Sequence, residues 1–78
     1  MKYYYLELDW NSIAYTPTER FIFTSKEEAK AKLDELLANK NMRWDWRGYY
    51  EQYATQNVEM IACYVSHSST LILLEISM

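Results

Sequence analysis

The chain has 78 residues and only one glycine (Gly48), one proline (Pro17), one cysteine (Cys63) and one histidine (His67). Each scarcity removes a class of function. A lone glycine cannot build the glycine-rich loop whose bare backbone closes on a phosphate, which excludes the common nucleotide-binding fingerprints. A lone cysteine leaves no internal disulfide. Small secreted domains usually carry several, so the reading is a reducing, cytoplasmic compartment. One cysteine and one histidine offer neither C-x-x-C nor H-x-x-x-H spacing, and no metal site or cofactor is expected. Within one extended segment the Cα atoms of Cys63 and His67 stand about 13 Å apart, too far for a nucleophile and its base. They read as a buried thiol and a turn histidine. No apolar run approaches the roughly 20 residues that cross a bilayer as a helix. Met1-Lys2-Tyr3-Tyr4-Tyr5 lacks the apolar stretch of a secretion signal, so no membrane association is expected.

Charge of one sign is also scarce. Eleven acids against eight bases give a net charge of −3. That excess is the wrong sign for the basic stripe of a dedicated nucleic-acid binder. It is also too weak to imitate the charge density of DNA. Carboxylate pairs occur at Glu7 with Asp9 and at Glu27 with Glu28. They read as a solvated strand face and a charged helix start, since exposed acids are the norm. No pattern of nucleophile, base or ligand emerges, and the expectation is a protein that is not an enzyme.

Aromatic residues are plentiful: eight tyrosines, three tryptophans and two phenylalanines. A domain of this length buries only about 60–65% of its extended-chain surface and has room inside for few large rings. The densest run is Trp44-Asp45-Trp46-Arg47-Gly48-Tyr49-Tyr50, with Tyr53 beyond.

Lys2 to Trp10 alternates, with Tyr4, Leu6, Leu8 and Trp10 on one side and Tyr3, Tyr5, Glu7 and Asp9 on the other, the period of a half-buried strand. Asn11 to Arg20 reads as a loop, and Phe21 to Phe23 as a short strand pairing with the first. Ser25-Lys26-Glu27-Glu28 is a capping box that opens a helix. Ala29, Leu33, Leu36 and Leu37 form its apolar stripe, and Glu28 with Lys32 an i,i+4 pair. Lys40 and a left-handed Asn39 or Asn41 are expected at its end. Met42 to Gly48 reads as irregular. Tyr49 to Thr55 fits either helix or strand and is taken as a strand. Val58 to Ser66 is a strand apolar on both faces, with Val58, Met60, Ala62 and Tyr64 on one and Ile61, Cys63 and Val65 on the other, a pattern that points to a central position. His67 to Ser69 turns into a last strand, Thr70 to Ser77.

The whole predicts one domain over residues 1–78. It is a two-layer α+β fold with one α-helix packed on a four- to five-stranded, mainly antiparallel sheet, in the order β-β-α-β-β-β. One helix covers one sheet face. Leu71, Leu73, Ile61 and Val65 exceed what it can cover, so an exposed apolar patch is expected on the other face. The residues expected to bind a partner are Trp44, Trp46, Tyr49 and Tyr50 as anchors, with Arg43, Asp45 and Arg47 as polar rim. The competing reading is that W-x-W at strand spacing puts both rings into the core.

The functional expectation is a small protein-binding module that inhibits or modulates a larger partner, such as a nucleic-acid-processing complex. The alternatives are a structural homodimer or, less favoured by the acidic charge, a binder of single-stranded nucleic acid. In size, acidic balance, glycine scarcity and aromatic content the chain is similar in type to phage-encoded inhibitors of bacterial defence systems, the anti-CRISPR proteins. That similarity implies a host-cytoplasmic inhibitor and rests on no matched residues.

Overall fold

A computed structural model describes residues 1–10, 18–38, 43–47, 57–66 and 69–78. The described elements are β1 (Lys2–Asp9), β2 (Glu19–Phe23), α1 (Lys26–Leu37), β3 (Asp45–Trp46), β4 (Val58–Val65) and β5 (Thr70–Ser77). The strands form one five-stranded sheet in the order β2-β1-β5-β4-β3, with every neighbouring pair antiparallel. The class is therefore α+β, with α1 packed over β1 and β2.

Sheet order differs from chain order. Strands adjacent in sequence still pair where they can: β1 lies beside β2, and β4 lies between β3 and β5. The first and last strands then pair over eight residues, from Lys2 with Ser77 to Asp9 with Thr70. This puts β5 at the centre, with the expected Val58–Ser66 strand interior beside it. The composition of β5 explains the position. Leu71 and Leu73 enter the core on the helix side while Ile72 and Leu74 are buried on the other side, so both of its faces need cover.

The helix begins as its capping box dictates. Ser25 is extended, at φ −115° and ψ 127°, and its Oγ accepts the Glu28 amide at 3.4 Å. Ala29 and Leu33 are buried, and Leu36 and Leu37 pack against the same core as Tyr4, Leu6 and Leu8. The expected Glu28–Lys32 pair is replaced. The Lys32 ammonium lies 3.3 Å from Glu35 and 4.9 Å from the centre of the Phe21 ring, a position that serves both a carboxylate and an aromatic face. The expected helix stop at Asn39 or Asn41, with Lys40, lies outside the described residues.

Two sequence expectations about faces are corrected. Strand β4 does not alternate regularly. Met60 pairs with Leu74 and Ala62 with Leu73, so Ile61 is an extra residue in a β-bulge. The bulge reverses the phase of the strand. Val58, Met60 and Cys63 serve the face away from α1, whereas Ile61, Ala62 and Tyr64 pack on the helix-side core. The second correction concerns exposure. The face away from the helix is not broadly bare, since Met60, Cys63, Ile72 and Leu74 are all buried there. Leu71 and Leu73, expected to be surplus, are completely buried on the helix side. Complete burial of a leucine side chain is worth about 1.5–3 kcal/mol.

Candidate protein-binding site

Strand β3 lies in the segment expected to be irregular. Two residues are too short a strand for periodicity to reveal, and its partner strand defines it. Asp45 pairs with Val65 and Trp46 with Tyr64. The Arg47 amide donates to the Cys63 carbonyl at 2.8 Å and carries the pairing one residue further. Among the described strands this is the sheet edge opposite β2.

W-x-W spacing places Trp44 and Trp46 on the same side, and their environments differ. Trp44 packs against the helix-side core, and its Nε1 is buried without a hydrogen-bond partner. The ring is thus held for its apolar surface, because a buried lone donor is itself unfavourable. Tyr64 rests on the same core. Trp46 stands outside it at 53% exposure, its ring edge-on to Tyr64 with centroids 5.2 Å apart and planes at 72°. Trp44 closes the interior, Tyr64 supports, and Trp46 is presented to solvent against the Tyr64 ring. Arg43, Asp45 and Arg47 are exposed and alternate with the two tryptophans along the chain. Of the expected site, the structure brings together Arg43, Trp44, Asp45, Trp46 and Arg47. Tyr49 and Tyr50 lie outside the described residues, as does the expected strand from Tyr49 to Thr55.

The chemistry of this edge is quiet. Burial pushes the Cys63 thiol up, and the nearby Arg47 charge opposes that only in part. A buried thiol held in its neutral form is a poor nucleophile. Among the described residues, no group of three His, Cys, Asp or Glu side chains could hold a metal ion.

A second exposed apolar region lies on the sheet face away from α1. Tyr3, Tyr5, Ile22, Ile76 and Met78 line a shallow depression of about 310 Å³. Ile22 is 72% exposed. A polar network borders it. The Tyr5 hydroxyl donates to Glu7 Oε1 at 2.7 Å and accepts from Arg20 Nε at 3.1 Å, while Arg20 Nε lies 3.4 Å from the same carboxylate oxygen. Burial, then the hydrogen bond to Glu7, raises the Tyr5 pKa. The sequence pointed to an apolar patch on this face but assigned it to Leu71, Leu73, Ile61 and Val65, none of which lines the depression. The signal was the odd-numbered face of β1, where Tyr3 and Tyr5 precede Glu7, combined with Ile22 between two inward phenylalanines.

No protein-family model, no curated protein and no solved structure matches the chain. No helix among the described residues is long and apolar enough to cross a membrane.

Proposed function

We propose that this chain is a small, non-enzymatic protein-binding module that modulates a larger partner through its β3 edge. One observation carries the reading: a tryptophan at 53% exposure, braced by Tyr64 on the core and flanked by exposed Arg43, Asp45 and Arg47. Protein interfaces concentrate their energy in such rings, held rigid within a polar rim. Trp44 belongs to the support rather than the contact. The buried, neutral thiol of Cys63 and the commitment of Glu7 to Tyr5 and Arg20 favour binding over catalysis. An unpaired Cys63 sealed in the core fits a reducing cytoplasm. By analogy of size and composition, we propose a component of a bacterial defence system as the first partner class to try.

The test is affinity capture with the intact chain, followed by titration of the captured protein against wild type and Trp46→Ala. Loss of a central aromatic anchor weakens binding by about 2 kcal/mol or more, roughly thirtyfold. Equal affinity of the two chains would remove the β3 edge from the interface. Quenching of Trp46 by oligonucleotide that fades with salt would move the site to single-stranded nucleic acid instead.

A further inference from the structure

We propose that β2 is a self-pairing edge, through which two copies of this chain join antiparallel about Phe21 and merge their sheets into one continuous sheet. The inference is independent of the role given to β3. Strand β2 is the other edge of the sheet, and no described strand pairs with its outer side. An edge of five residues presents a row of backbone donors and acceptors ready for another strand.

Three features select a second copy as the occupant. First, the sequence of β2, Glu19-Arg20-Phe21-Ile22-Phe23, has its charges at one end and its apolar residues at the other. With Phe21 on the two-fold axis, Glu19 stands opposite Phe23 of the second copy and Arg20 opposite its Ile22. All five residues pair and no charge faces its like. Second, the strand brings no unmatched charge to the face away from α1, because Arg20 is already held by Glu7 and the Tyr5 hydroxyl. A partner of either net charge gains nothing there, whereas an identical surface meets it without repulsion. Third, Ile22 is 72% exposed at the border of the Tyr3–Tyr5–Ile76 depression. A second copy's strand laid against this edge would take part of that side chain out of water. On the helix side, Phe21 would meet Phe21, an aromatic cross-strand pair.

Five residues a side is well below the roughly 20–30 a side of a standard interface. The dimer is therefore weak and visible only at high concentration. Sedimentation equilibrium from micromolar to millimolar chain tests it. The wild-type mass should rise from 9.4 kDa toward twice that value. Ile22→Lys and the milder Ile22→Thr should stay monomeric, or weaken association at least about tenfold, with unchanged circular dichroism and melting temperature, because Ile22 is exposed. Trp46→Ala, at the other edge, should associate like wild type. A wild-type monomer at millimolar concentration would overturn the proposal. So would association that survives both Ile22 variants, or association that Trp46→Ala abolishes.

Discussion

Leu73 and Ser25 show how single residues hold this chain together. Leu73 is completely buried in the central strand, against Leu6 in β1 and Ala62 in β4. Leu73→Ala should lower the unfolding free energy by about 2–5 kcal/mol. Small domains have roughly 5 kcal/mol in all, so urea titration should find the midpoint lowered by about half or more. A midpoint like that of wild type would show that the site can collapse. Ser25 acts through one hydrogen bond to the Glu28 amide. Ser25→Ala should cost about 1 kcal/mol and Ser25→Asp should restore it, measured in the same titration. Equal stability of all three would mean that the helix start is held by packing alone. Lys2 and Glu75 supply the pH dependence. Their 3.0 Å pair holds the Glu75 carboxyl below its ordinary pKa and the Lys2 ammonium above its own. A lowered carboxyl pKa contributes stability above the unfolded value and loses it as pH falls through the folded one. A raised lysine pKa contributes below its unfolded value and loses it as pH rises through the folded one. Wild type should thus exceed Glu75→Gln in melting temperature at neutral pH, and the difference should close at the acid and alkaline ends. A constant difference at all pH values would assign the effect to packing.

At the scale of elements, the bulge in β4 makes a sharp prediction. Met60 and Ala62 serve opposite faces because Ile61 is inserted between them. Deleting Ile61 makes Met60 and Ala62 direct neighbours, and plain alternation then keeps each on its present face. The deletion should therefore fold, with only the loss of a half-buried isoleucine. Inserting an alanine between Leu73 and Leu74 should instead turn the end of β5 inside out and unfold the chain. Circular dichroism with thermal melts of both variants decides it: an unfolded deletion or a folded insertion would contradict the register. The same bulge marks what was legible in the sequence. The alternation of β1, the capping box and the apolar run that marks β5 as a strand are local signals, and residue types display them. The phase reversal at Ile61 is not local, because nothing in the composition of Val58 to Val65 says which residue is extra. Nor is the pairing of the first strand with the last, which depends on contacts nearly a chain length apart. At the site, W-x-W spacing placed both rings on one side. Which ring is exposed depends on Tyr64, a residue far along the chain that only the fold brings beneath Trp46.

On the scale of the whole molecule, the two sheet edges have opposite characters. At one, β2 offers five residues of backbone beside an exposed isoleucine whose charged neighbour is already neutralised. At the other, β3 presents one exposed tryptophan among charges. The first suits a copy of itself, the second a different protein. Exposed rim charges are screened over about 8–10 Å at physiological ionic strength. Binding through Arg43, Asp45 and Arg47 should thus depend on salt in the speed of association more than in the lifetime of the complex, which Trp46 sets. Stopped-flow measurements at two ionic strengths would show it, and a lifetime that falls with salt while association is unchanged would oppose it. The most direct test of the central claim is hydroxyl-radical footprinting of the chain, alone and bound to its captured partner. Oxidation of Trp46 should fall sharply in the complex while that of Met78, beside the depression, stays as it was. Undiminished oxidation of Trp46 in a saturated complex would contradict the account.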